Sequence, residues 1–241
     1  KYFLGDMFDS TMNYIFRNAV QDYAAGGRAT ALVTQLEHLR EAYPPQAHAA
    51  LMNLLSSHDQ ARALHHFGWR DEARDAPEVV ALAKQKLRLA VFMQMTYPGA
   101  PTVYYGDEVG VTGGDDPYNR ATYPWPDEGG RPDLALREDF KRLIALRHAL
   151  PVLRRGTLEA PLHVDEHVVV MLRRLGDAWA VVGWNNAPEA RTVTVTLPDG
   201  APASWRDALA APGAAGTPGG PTPGRLTLTV PARFGVVLAT P

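Results

Sequence analysis

The sequence predicts a parallel α/β half followed by an antiparallel β half. Three observations carry that expectation. Up to about Leu150, short strand-like runs alternate three times with segments of helical period, the pattern of parallel βα units. After Pro151 the chain breaks into short β-type runs separated by Gly, Pro, Asn and Asp turns, the pattern of an antiparallel β domain. Between them, Ala50, Leu51, Met52, Leu54 and Leu55 have the apolar density of a strand buried on both faces, as parallel strands are. The expected domains are residues 1–150 and residues 151–241.

Taken in order, Asp9–Phe16 is short and rich in aromatic and β-forming residues, so a strand is expected there. Ala29–Tyr43 places Leu32, Leu36 and Leu39 at helical spacing and stops before Pro44-Pro45. The buried strand spans Ala49–Ser56. Glu78–Tyr97 is a long helix opened by Pro77, with Leu82, Leu87, Val91 and Met95 among its apolar positions. Ala100–Tyr105 is a third strand, closed by Gly106-Asp107-Glu108. A polar loop from Gly113 to Arg131 follows. Asp133–Leu150 is a final helix with Leu136, Phe140, Leu143, Ile144 and Leu146 on its apolar face. The β half comprises Val168–Leu172, Trp179–Trp184, Val193–Leu197, Leu226–Val230 and Val236–Leu238. The Ala/Gly/Pro/Thr stretch Ala210–Gly224 is expected as a flexible loop within it.

The 241 residues are 46% hydrophobic and 21% charged, an ordinary globular composition with enough length for a sizeable core. A net charge of −2 gives no electrostatic case for nucleic acid or an anionic membrane surface as a partner. With no cysteine, disulfides and thiolate metal sites are excluded. No apolar run reaches the roughly 18 residues of a membrane span, and the first residues lack the apolar core of a signal peptide. These features leave the compartment open. A complete (βα)8 barrel takes about 250 residues. Three parallel strands alone leave open edges, so the first half is expected to be part of a fold, and the chain a fragment.

The apolar strand delivers Ser57-His58-Asp59 where it leaves the core. In a parallel barrel that C-terminal rim carries the chemistry. Asp59 is therefore the first candidate acid, with a helix cap or loop acid as its ordinary alternative. Three consecutive residues cannot form a nucleophilic relay on one atom, so Ser57-His58-Asp59 is no triad. Adjacent residues make poor metal co-ligands, and His65-His66 are better read as loop histidines. Asp107-Glu108 could supply rim carboxylates of the kind glycoside hydrolysis needs, or merely polar residues at a turn. In Asp116-Pro117-Tyr118-Asn119-Arg120, with Tyr123 and Trp125 behind it, an acid, an arginine and aromatics share one long loop. Such loops often bind ligands, and this mix suits sugar rings and hydroxyls. An internal Asp116–Arg120 salt bridge is the competing explanation. Trp179, Trp184 and Trp205 are expected in the β core.

Leu54–Arg62 resembles the strand-seven motif of the α-amylase family of glycoside hydrolases. Phe8-Asp9-Ser10-Thr11-Met12-Asn13-Tyr14 is similar to strand six of its neopullulanase, cyclomaltodextrinase and maltogenic amylase branch. Pro98–Glu108 resembles the family's strand eight, and the Asp-Pro-x-x-Arg of residues 116–120 fits the same branch. The motifs occur in the family's order. The resemblance implies that residues 1–150 are the last three βα units of a (βα)8 TIM barrel, and that residues 151–241 are a C-terminal antiparallel β-sandwich.

The resemblance also implies retaining chemistry on α-1,4 glucosidic bonds, with α-1,6 bonds as a second option, by hydrolysis or transglycosylation. Three carboxylates act in the family: an Asp nucleophile after strand four, a Glu acid/base after strand five and an Asp after strand seven. Asp59 matches the third, which favours the distorted, oxocarbenium-like transition state. His58 matches a histidine that hydrogen-bonds hydroxyls of the sugar under attack. Asp116 and Arg120 match a pair on the next sugar outward. Asp107-Glu108 matches strand eight without a catalytic role. Strands one to five have no counterpart here, and with them the nucleophile and acid/base.

The implied partner is an α-glucan or maltooligosaccharide substrate, with the missing N-terminal half or a second copy as protein partners. No cofactor is implied by these residues, and calcium would belong to the missing half. Two alternatives stand beside this expectation. One is a non-catalytic relative acting as a glucan-binding or partner-docking scaffold. The other is a free-standing sugar-binding module.

Overall fold

The computed structural model describes residues 2–70, 75–210 and 224–240. The α/β half runs through helices α1 (Tyr14–Ala25), α2 (Ala29–Ala42) and α3 (Pro45–Ala49), then strand β1 (Met52–Leu54), helices α4 (Ala63–His66) and α5 (Pro77–Thr96), strand β2 (Ala100–Thr102), and helices α6 (Leu134–Ala149) and α7 (Pro151–Arg155). β1 and β2 pair in parallel with Met52 opposite Ala100, and Met12 adds a single parallel rung on the other side of Met52. Three parallel rungs thus lie in the expected order.

The first rung is far shorter than the strand expected at Asp9–Phe16. Phe16, Ala19, Val20, Tyr23 and Ala24 recur at helical spacing and are all buried in α1. That periodicity outweighs the β propensity of the aromatics. Asn13 makes the switch. Its Oδ1 accepts the Phe16 amide at 3.0 Å as an N-cap, while its Nδ2 donates to Asn53 Oδ1 on β1 at 2.8 Å. The second strand is also shorter than Ala49–Ser56, because Pro45 opens the short helix α3. β2 ends at Thr102, short of the expected Tyr105. The two long helices lie within a residue of expectation at both ends, with Asp133 capping α6 by accepting the Leu136 amide. Among the described residues no helix is long and apolar enough to cross a membrane.

The β half contains β3 (Thr157–Leu158), β4 (His163–Val164), β5 (Val168–Leu175), β6 (Ala178–Asn185), β7 (Arg191–Thr196), β8 (Arg206–Asp207), β9 (Arg225–Val230) and β10 (Phe234–Ala239). The main antiparallel sheet has the order β3-β5-β6-β10-β8 with β4 also on β5, and β7 pairs with β9 in a separate ladder. Period-two alternation sorts the sheet's two faces. Val168, Val170, Leu172, Trp179, Val181 and Leu238 pack with Trp205 and with Val195, Leu226 and Leu228 of the β7–β9 pair. Val169, Met171, Val182, Trp184 and Val237 face the helices and share one core with them. Trp179 and Trp205 therefore lie in the β core as expected, whereas Trp184 sits against the helical layer, its Nε1 donating to Thr96 Oγ1 at 3.1 Å. Of the loop expected at Ala210–Gly224, residues 211–223 lie outside the described residues.

Several contacts lock the sheet to the helices. The Tyr23 hydroxyl donates to His167 O, and Asn186 Nδ2 donates to Tyr23 O and Gly27 O at 2.8 and 2.7 Å. At Gly235 a Cβ would come within 2.0 Å of the Phe92 ring, so only glycine lets α5 approach β10 this closely. The C-terminus of α5 has no basic residue in its own last turn. Its carbonyls are met by two buried arginines from other elements. Arg147 of α6 donates to Met95 O, Tyr97 O and Gly99 O, and Arg173 of β5 donates to Thr96 O, Thr157 O and Gly156 O. Burial lowers both guanidinium pKa values, and each cation sits at the negative end of the helix dipole.

Candidate active site

The site forms where β1 leaves the core. Leu55 O, just past the strand, accepts from Arg17 Nε at 3.0 Å and Gln21 Nε2 at 2.6 Å, both on α1. Arg17 also reaches Ala61 O at 3.0 Å, so one side chain spans the base of the turn between. Ser56 Oγ accepts the Ala63 amide, and Ser57 Oγ lies 3.1 Å from the Tyr14 hydroxyl and accepts the Asp59 amide at 3.2 Å. Ser57 and Gln60 form an antiparallel bridge across the tip. This tight turn presents His58 and Asp59 outward, with side chains 60% and 55% exposed and His58 Nε2 3.2 Å from Asp59 Oδ1.

Behind the turn lies a buried polar cluster. The Arg62 guanidinium is fully buried, donates to Asn119 O at 2.9 Å, to Asp107 Oδ1 at 3.2 Å and to Tyr105 O, and stacks over the Tyr104 and Tyr105 rings. Burial pushes the Asp107 carboxyl up to about 6, against hydrogen bonding from Ser56 and the charge of Arg62. Asp107 thus faces inward as the partner of Arg62. It is not a rim carboxylate open to a ligand. Asn119 Nδ2 donates to His58 O at 3.0 Å and Gln60 O at 3.1 Å, tying the long loop to the turn.

On that loop Arg120 Nε lies 2.8 Å from Asp116 Oδ1, both half exposed, so the salt bridge weighed as an alternative forms within the loop. Tyr118 and Trp125 are exposed, and Trp125 leans on Tyr123 with ring centroids 4.4 Å apart. His65 and His66 lie on α4, and among the described residues no group of three or more His, Cys, Asp or Glu could hold a metal ion. A cavity of about 1030 Å³ is lined by Trp69, Lys84, Arg88, Gly110 and Asp133, among others, and none of His58, Asp59, Asp116 and Arg120 borders it.

The structure therefore brings the turn bearing His58 and Asp59 and the loop bearing Asp116 and Arg120 together through Asn119. Sequence reasoning did not single out Asn119, Arg62, Arg17 or Gln21. Arg62 follows the apolar strand within the quoted motif, and an arginine there is a weak hint of a buried anchor. A lone Asn in a polar loop carries no periodic signal at all.

Residues 1–156 match the family model described as alpha amylase, catalytic domain. An amylopullulanase of Thermoanaerobacter thermohydrosulfuricus is 40% identical over an alignment of 186 residues that covers 71% of this chain and 12% of that protein. Neopullulanase 2 of Thermoactinomyces vulgaris is 37% identical over 212 residues, 86% of this chain and 34% of the relative. The crystal structure of an α-amylase from Geobacillus thermoleovorans in complex with acarbose superposes with a TM-score of 0.77 at 25% identity, covering 96% of this chain and 48% of that one. The chain spans 12% and 34% of those curated relatives and about half of the solved chain. With the family model matched over more than half of its length, the chain belongs to the α-amylase family.

Proposed function

We propose that this chain is the C-terminal portion of a retaining α-glucan hydrolase or transglycosylase, acting on α-1,4 and also on α-1,6 glucosidic bonds. In this reading the rungs at Met12, β1 and β2 are the last three strands of a (βα)8 barrel, and residues 151–241 are its C-terminal β-sandwich. The observation that carries it is the exposed Asp59 carboxylate at the C-terminal end of a buried parallel strand, with His58 3.2 Å away and a sugar-suited loop tied to the same turn. The named relatives and the acarbose complex support a glucan substrate.

Retention of configuration needs a nucleophile and an acid/base flanking the bond. Both belong to barrel strands other than these three. Asp59 acts as the third carboxylate: as the sugar ring flattens and positive charge develops at the anomeric carbon, its hold on the ring hydroxyls tightens. His58 donates to or accepts from hydroxyls of that same sugar. Asp116 and Arg120 hold the next sugar outward, their mutual ion pair keeping both side chains ready for hydroxyls.

Two measurements test this. Residues 1–241 alone release no reducing sugar from maltooligosaccharides, pullulan or cyclodextrin, whereas the complete protein does. Turnover by the isolated chain overturns the division of carboxylates, and an inert complete protein favours the scaffold alternative. In the complete protein, Asp116→Ala or Arg120→Ala lowers kcat/KM on maltooligosaccharides by roughly 10- to 100-fold, the effect of losing one or two charge-assisted hydrogen bonds. Unchanged kinetics in both variants would leave the pair as a loop salt bridge only.

A further inference from the structure

We propose that Asn119 is a positioning residue for Asp59, clamping the turn on both sides of the catalytic carboxylate. This rests on the reading of Asp59 given above. The Asn119 Nδ2 donates to His58 O and Gln60 O, the carbonyls of the two residues flanking Asp59. With the Asp59 amide held by Ser57 Oγ, the backbone of this residue is fixed from three directions while its carboxylate stays free for a ligand.

The amide cannot be turned over, since its oxygen would then face two carbonyl oxygens. Asn119 is itself immobilised: it is fully buried, and its main-chain oxygen accepts from the buried Arg62 at 2.9 Å. Its Oδ1 is buried without a partner. Leaving an acceptor unpaired in the interior is a costly way merely to fill space, and an apolar side chain of similar size would avoid that cost. The two donors are what the position supplies.

The consequence is kinetic. Displacing a catalytic group by about 1 Å costs on the order of 100-fold in rate. A carboxylate that acts chiefly in the transition state should show that loss in kcat with little change in KM. The test uses the complete protein with maltotriose as substrate. Asn119→Ser, which keeps at most one donor, and Asn119→Asp, which removes both, are each assayed per folded molecule. The expected result is a fall in kcat of about 100-fold with KM changed less than about threefold.

Each variant is also made in an Asp59→Asn background. There the Asn119 substitution adds little, because the group it positions has already lost its charge. Where Asn119→Asp fails to fold through its buried charge, Asn119→Ser carries the measurement. Near-normal kcat in folded Asn119→Ser overturns the inference. So does an equal loss in the two backgrounds, which would place Asn119's effect elsewhere. Full turnover by Asp59→Asn alone instead overturns the underlying reading of Asp59, so the two failures are told apart.

Discussion

Asp59→Asn in the complete protein is expected to lower kcat by on the order of 10³-fold or more, equivalent to about 4 kcal/mol of transition-state stabilisation. The substitution preserves shape and one hydrogen-bonding oxygen while removing the charge. Only interactions stronger in the transition state than in the ground state raise kcat, and in the proposed role the charge of Asp59 would meet an anomeric carbon that becomes positive as the bond breaks. Because the side chain is 55% exposed at a turn tip, thermal unfolding should be nearly unchanged. The loss then belongs to chemistry and not to folding. His58→Asn should cost less, since a neutral hydrogen bond is weaker than a charged one. Near-normal turnover by a folded Asp59→Asn protein would remove the strand-seven assignment on which the functional reading depends.

Arg173→Met is expected to produce the largest loss of stability, about 3–5 kcal/mol. The guanidinium is buried and donates to Thr96 O, Thr157 O and Gly156 O at 2.7, 2.9 and 2.8 Å. Methionine fills much of the volume but leaves three carbonyls without their donor, and the one at the C-terminus of α5, Thr96 O, is buried. The drop in melting temperature should be on the order of 10 °C for a chain of this size. Since Arg173 ties the sheet to the α5 terminus, the loss should appear as a single shifted transition if the two halves unfold together. A shift below about 1 kcal/mol would mean that water replaces all three donors.

Some of this was legible from residues alone. The helix at Glu78–Tyr97 was marked by its opening proline and long apolar period, and the helix at Asp133–Leu150 by the apolar face of Leu136, Phe140, Leu143, Ile144 and Leu146. The short β-type runs between turn residues after Pro151 located five strands of the β half. The His58–Asp59 turn was legible because an apolar strand ends there abruptly. Asp9–Phe16 was not, since its aromatics satisfy a strand propensity and a helical spacing at once. Only burial of Phe16, Ala19, Val20 and Tyr23 on one face of α1 decides between them.

Likewise Asp107 reads in sequence as a polar rim residue beside Glu108, and burial against Arg62 turns it inward. The sequence by itself determined the two long helices and the five longer strands of the β half, in what order the family motifs run, and which carboxylate stands at the end of the buried strand. These depend on local period and on residues adjacent in the chain. The tertiary structure alone decided that Arg147 and Arg173 cap a helix to which neither belongs, and that Asn119 reaches back 61 and 59 positions to hold the carbonyls around Asp59. Such contacts join residues far apart in sequence, and their partners are backbone carbonyls, which every residue carries and no sequence pattern marks.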